Sequence, residues 1–274
     1  MKKLITRTLT GLVFITIVIG SICWSVYSFM LVFLVVALLG IYEFFKLALL
    51  KNIQPQFLNG LVFGGYLFVS ISLYAHDVFS FGWVLLSLPV AIIISVTELF
   101  RKAGQPFTNI AYTILGGLYV ALPLALLNFF YSPFELRGGF NTHILLGFFI
   151  ITWVADTAAY LVGSAMGKHK LFERISPGKT WEGSAGSVIF GVAAAYVFSL
   201  IFKDIQFLHW AIISVIIVVT GTLGDLAESM LKRSVDVKDS GTIMPGHGGI
   251  LDRFDGVFFA AVFVFIYIYF FIAN

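Results

Sequence analysis

The run IISVIIVVTGTL (Ile212–Leu223), the segment DLAESMLKRSVDVKDSGTIMPGHGGILDRFD (Asp225–Asp255) and the run VFFAAVFVFIYIYFFI (Val257–Ile272) follow one another almost without interruption. The two outer runs are apolar enough for helices in a bilayer, and the segment between them is densely charged. It holds Asp225, Glu228, Asp236, Asp239, Asp252 and Asp255, interleaved with Lys232, Arg233, Lys238, His247 and Arg253. Pro245-Gly246-His247-Gly248-Gly249 breaks any helix there, because proline lacks the N–H donor and glycine disfavours the helical state. Carboxylates alternating with cations on a glycine-rich loop suit a metal ion plus phosphates. The carboxylates hold the ion, while the cations and backbone N–H groups hold the phosphate oxygens.

Working outward, apolar runs near the roughly 20 residues needed to cross a bilayer recur along the whole length. The 274 residues are 59% hydrophobic and 11% charged, with mean hydropathy +0.99, which excludes a soluble globular protein. The single cysteine, Cys23, excludes an intrachain disulfide and a cysteine-based metal site. Met1–Ile19 begins like a secretory signal, but no small-residue cleavage site stands out and further spans follow at once, so a retained first helix is expected.

The expected fold is an all-α polytopic membrane protein of about nine transmembrane helices, at 5–22, 26–45, 57–75, 79–99, 108–131, 142–164, 183–202, 208–231 and 255–272. With the N-terminus in the cytoplasm, the inside segments carry fifteen Lys and Arg residues, and the outside loops only Arg137 and Lys203. This positive-inside asymmetry supports the count and puts the C-terminus outside. Residues 1–140 read as a scaffold of about five spans. Residues 141–274 read as a catalytic region of about four, with cytoplasmic loops 165–182 and 232–254.

The first five spans offer little chemistry. Glu43 and Glu98 precede Lys46 and Arg101 by three residues, a spacing that suits local ion pairs. The sixth span carries Asp156, with Tyr160 one turn later. A carboxylate at membrane depth costs about 2.5–3.5 kcal/mol on insertion scales and marks a functional site by default. In the loop that follows, Gly178-Lys179-Thr180 resembles the end of a P-loop, but Glu173 stands where that motif needs glycine. Lys179 is retained as a point-charge phosphate ligand. Ser176-Pro177 can open the seventh span, where Gly183, Ser187 and Gly191 form a small-residue face for close packing.

In the eighth span, Asp225, Glu228, Ser229 and Lys232 fall on one helical face, which must meet protein or a water-filled cavity rather than lipid. Asp252 and Asp255 open the ninth span, where the helix macrodipole favours negative charge. Hard oxygen ligands without cysteine favour Mg²⁺ over a transition metal. Carboxylates and cations at a membrane surface suit phosphoryl or nucleotidyl transfer onto a lipid phosphate. An ion-coupled transporter would also place acids in helices, but near the midplane and commonly in repeated halves, and no convincing repeat is present.

Three segments carry a family resemblance. The first runs Ser229-x-Leu231-Lys232-Arg233, then Lys238-Asp239-x-Gly241, then Pro245-x-His247-Gly248-Gly249-x-x-Asp252-Arg253-Phe254-Asp255. The others are Ser176-Pro177-Gly178-Lys179-Thr180-Trp181-Glu182-Gly183 and Asp156-Thr157-x-Ala159-Tyr160. Together they resemble the phosphatidate cytidylyltransferases (CDP-diacylglycerol synthases). The resemblance is strong over 150–260 and topological before that. It implies CTP + phosphatidate → CDP-diacylglycerol + pyrophosphate, with Mg²⁺ and room for a second cation. It also implies a homodimer in the cell inner membrane, with the active site on the cytoplasmic side and no nucleic-acid partner. By motif position the catalytic set is Asp225, Asp252, Lys232, Arg233, Lys238, His247 and Arg253, with Asp225 and Asp252 as metal ligands. The substrate-binding set is Asp156, Lys179, Ser229, Asp239, Gly248, Gly249 and Asp255.

Overall fold

A computed structural model describes residues 2–131, 142–244, 246 and 248–272. Helices α1 (Lys2–Trp24), α2 (Val26–Leu49) and α3 (Phe57–Ala75) lead the chain. They are followed by α4 (Phe81–Leu85), α5 (Ser87–Arg101), α6 (Pro106–Gly116) and α7 (Leu122–Leu126). Next come α8 (His143–Met166), strands β1 (Lys170–Phe172) and β2 (Ser176–Thr180), then α9 (Trp181–Ile201), α10 (Phe207–Ser234) and α11 (Leu251–Phe271). Among the described residues, eight helical stretches are long and apolar enough to cross a membrane, and the apolar part of α1, Thr8–Trp24, is shorter. The protein is thus a helical, multi-pass membrane protein, and each expected span has a helical counterpart.

Two spans are interrupted for a stated reason. Pro89 has no N–H for the carbonyl of Leu85, and the helix breaks between α4 and α5. Pro123 likewise cannot donate to Tyr119. The ladder there widens to a π-turn at Gly117–Ala121, in which the Leu122 N–H reaches the carbonyl of Gly117. The weak break expected near Ser25 is a reciprocal cap. The Ser25 hydroxyl accepts from the Ser28 N–H (3.1 Å), and the Ser28 hydroxyl accepts from the Ser25 N–H (3.0 Å).

The chain divides into two compact units, Met1–Phe129 with Ser234–Phe254, and Phe130–Arg233 with Asp255–Asn274. The core of the first unit is aromatic, with Phe29, Phe33, Phe45 and Phe68 fully buried. Phe254 packs edge-on against Phe14 and Phe33. The expected Glu98–Arg101 pair is present at 2.8 Å and belongs to a larger buried network. Glu98 also accepts from the amides of Gln56 (2.6 Å) and Asn109 (2.8 Å). The expected Glu43–Lys46 pair is not formed. Lys46 lies over the Tyr42 ring, 4.6 Å from its centroid, while Glu43 is 1% exposed and turned to partners 197 and 208 residues away.

In the second unit α8 and α9 pack closely over the small-residue face expected from the sequence. A Cβ at Gly183 would fall against the carbonyl of Ala159, Ser187 is buried, and Gly191 lies against Ser214. Gly221 and Gly256 let α10 and α11 approach backbone to backbone. Ser176-Pro177 does not open the helix: Ser176–Thr180 pairs antiparallel with Lys170–Phe172, and α9 begins at Trp181, with the Thr180 hydroxyl accepting from the Gly183 N–H (3.1 Å). This two-stranded hairpin is an addition to the all-α expectation.

Candidate active site

In the second unit the charged side chains meet around α10. Their approach rests on Gly224 as well as on Gly221 and Gly256, because a Cβ at Gly224 would collide with the Asp255 backbone and the Phe259 side chain. Lys179, at the end of β2, places Nζ 2.6 Å from Asp225 Oδ2 and 3.4 Å from the Thr222 carbonyl. One turn on, the Ser229 hydroxyl donates to Asp225 Oδ1 (3.2 Å). Glu228 is 1% exposed and sits 3.4 Å from the ammonium of Lys232, itself buried. Asp255 interacts electrostatically with both Asp225 and Glu228, and its Oδ1 accepts from the Gly256 N–H (2.7 Å). The face read from the sequence of α10 therefore does point into protein. Asp156 and Arg233 are exposed.

The hairpin that carries Lys179 is held at both ends. The Trp181 N–H donates to the His169 carbonyl (3.0 Å), and a His169 ring nitrogen lies 2.6 Å from the Glu182 carboxylate. Thr180 is buried against the C-terminal end of α8, where a Cβ on Gly167 would strike its side chain.

In the first unit Ser240 and Gly249 converge on one carboxylate. Asp252 Oδ2 accepts from the Ser240 N–H (2.9 Å), the Ser240 hydroxyl (2.9 Å) and the Gly249 N–H (2.8 Å). Gly246 and Gly248 have φ of 78° and 84°, a region that side chains disfavour, and a Cβ on Gly248 would also meet the Asp252 carboxylate. The Met244 N–H closes the turn on the Gly248 carbonyl (2.9 Å). Lys238, Asp239 and Arg253 are exposed around it. His247, expected in the catalytic set, lies outside the described residues. Glu43 was read from the sequence as structural, yet it accepts from this segment. The glycines that leave room for its carboxylate, Gly241 and Gly249, were the available signal.

The donor chemistry fits a hard divalent ion. The acids are carboxylate oxygens without soft ligands, and at Asp225 an ammonium already stands where a cation is wanted. Among the described residues no three His, Cys, Asp or Glu side chains form a ready metal-holding group.

A family model described as the cytidylyltransferase family matches residues 5–271. The chain is 30% identical over 269 residues to a Bacillus subtilis protein named phosphatidate cytidylyltransferase, covering 96% of each. A Haemophilus influenzae protein of the same name is 33% identical over 289 residues, covering 97% of this chain and 98% of the relative. One from Staphylococcus saprophyticus is 42% identical over 162 residues, 58% of this chain and 56% of its own. Matched by that model and by full-length relatives over nearly all its length, the chain belongs to the cytidylyltransferase family.

Proposed function

We propose that this protein is a phosphatidate cytidylyltransferase, a nucleotidyltransferase that moves CMP from CTP to phosphatidate and releases pyrophosphate. The observation that carries the reading is the Lys179–Asp225 pair, which ties the resembling segment Ser176–Gly183 to a carboxylate one helical turn before the segment that opens at Ser229, in a chain similar to full-length proteins of that name. A lipid phosphate is already ionised at neutral pH, so its oxygen attacks the α-phosphorus of CTP without a general base. The demands on the protein are charge neutralisation and in-line placement. Lys179, Lys232, Arg233, Lys238 and Arg253 are the proposed phosphate ligands. Asp156, Ser229, Asp239, Asp255 and the Gly248-Gly249 backbone complete the substrate site, with His247 in the catalytic set. Asp225 and Asp252 are the proposed Mg²⁺ ligands, with room for a second cation. Bound there, Mg²⁺ supplies charge neutralisation of the triphosphate and orients its leaving group. Residues 141–274 supply every one of these side chains, with 1–140 as their scaffold. Release of pyrophosphate by the purified protein, dependent on CTP, phosphatidate and Mg²⁺ together, tests the reading. Its absence with all three present overturns it.

The proposed setting is the cell inner membrane, with a homodimer, nine spans and the active site on the cytoplasmic side. The fifteen-to-two division of Lys and Arg supports the orientation. A reporter fused after Asn274 is expected to behave as extracytoplasmic. Cytoplasmic behaviour of that fusion would overturn both the orientation and the odd number of spans.

A further inference from the structure

We infer that Glu43, on α2, is the positioning residue of the Ser240–Leu251 loop and acts on the reaction through Asp252. The inference rests on the proposed role of Asp252. Glu43 is 1% exposed, and its Oε2 accepts from the Leu251 N–H (3.0 Å) and from the Ser240 hydroxyl (3.3 Å). The same hydroxyl lies 2.9 Å from Asp252 Oδ2. A hydroxyl has one proton to give. Ser240 thus serves two carboxylates in turn, one on α2 and one at the head of α11, and each acid ties Ser240 to the residues that lead into α11.

The loop is moulded on Glu43 as well as bonded to it. A Cβ at Gly241 or at Gly249 would fall on the Glu43 carboxylate, so the backbone runs where only glycine allows it. Glu43 Oε1 is buried and has no hydrogen-bond partner among the described residues. Burying a carboxyl with one oxygen unfilled is costly, and an apolar side chain would prop α2 against a loop without that cost. What an apolar residue lacks is an acceptor for the Leu251 N–H, the first N–H of α11, and for Ser240. Through these two bonds Glu43 fixes where α11 begins and which way the Asp252 carboxylate turns.

Glu43→Ala and Glu43→Gln test this in the full-length protein in detergent, by tryptic cleavage at the exposed Lys238 and by turnover with CTP, phosphatidate and Mg²⁺. Glutamine keeps one carbonyl oxygen for the Leu251 N–H and Ser240, and alanine keeps none. The expected result for Glu43→Ala is faster cleavage at Lys238 and a kcat lowered by about tenfold to a hundredfold, the range for a misplacement of about 1 Å. KM for CTP should move far less, because the nucleotide's own ligands remain. Glu43→Gln should restore most of the protection and most of the kcat. Wild-type protection of Lys238 in Glu43→Ala would overturn the inference. So would a loosened loop with undiminished kcat, or a Glu43→Gln protein as impaired as the alanine variant. If Glu43→Ala does not accumulate as folded protein, Ser240→Ala and Glu43→Gln decide. Ser240→Ala must loosen the loop and lower kcat, and unchanged behaviour in it overturns the inference. A wild-type protein inert toward CTP and phosphatidate removes the functional reading alone, since the proteolysis still reports whether Glu43 holds the loop.

Discussion

Asp225→Asn is expected to lower Mg²⁺-dependent pyrophosphate release by at least about a hundredfold, the scale on which removal of one preorganised electrostatic contact acts. Asparagine is isosteric and still offers an oxygen to the Ser229 hydroxyl, so the fold around α10 should persist, but the charge that faces Lys179 is gone. Asp252→Asn should be equally damaging for a similar reason. Its amide oxygen can keep accepting from Ser240 and Gly249, so the loop stays wound while the charge is lost. The double variant should be little worse than either single one, because groups that act as a unit are not additive. Asp236→Asn is the contrast. Asp236 is exposed, its nearest cation is Lys51 at 3.9 Å, and its φ of 59° suits asparagine as well as aspartate. It should stay active. The measurement is pyrophosphate release in detergent across a Mg²⁺ titration, with size-exclusion profiles to confirm folding. Substantial activity of Asp225→Asn at saturating Mg²⁺ would remove the proposed central ligand.

The second large effect is expected at Lys179. Lys179→Ala strips the partner from Asp225 and removes the proposed phosphate ligand, and a loss of about tenfold to a hundredfold in kcat/KM is expected for a contact that strengthens in the transition state. Lys170→Ala, on the paired strand and exposed, should behave as a membrane-surface charge. Such residues contribute only about 1 kcal/mol each near anionic lipid. Assays of both variants in mixed micelles of phosphatidate, with CTP varied, separate the two. Equal and mild losses would reduce Lys179 to surface charge.

Much of this was legible in the sequence, and the exceptions share a cause. Spans such as Val26–Leu49 and Phe207–Ser234 could be read from their apolar length alone, because crossing a bilayer needs no knowledge of tertiary partners. The α10 face from Asp225 to Lys232 was legible for the same reason, helical spacing being a local property. The β-hairpin was not. Ser176–Thr180 contains Pro177 and Gly178, both poor strand residues, and its pairing depends on Lys170–Phe172 across a turn. Glu43 was misread because Lys46 stands at ion-pair spacing, whereas its actual partners, Ser240 and Leu251, are 197 and 208 residues away. No local pattern reports a contact of that range.

The double duty of Thr180 has a consequence for how this chain can change. It pairs with Lys170 as the last residue of β2, and its hydroxyl caps α9. Lys179 is therefore fixed two residues before a helix whose phase cannot drift. Successive side chains on a strand point to opposite sides, so a residue added between Lys179 and Thr180 would turn the lysine away from Asp225, whereas one added nearer Ser176 falls where the pairing with Lys170–Phe172 is already irregular. Length changes at the tip, around Glu173 and Arg174, carry no such parity. A change in the length of this hairpin should therefore be borne best at its turn and least between the lysine and the helix cap.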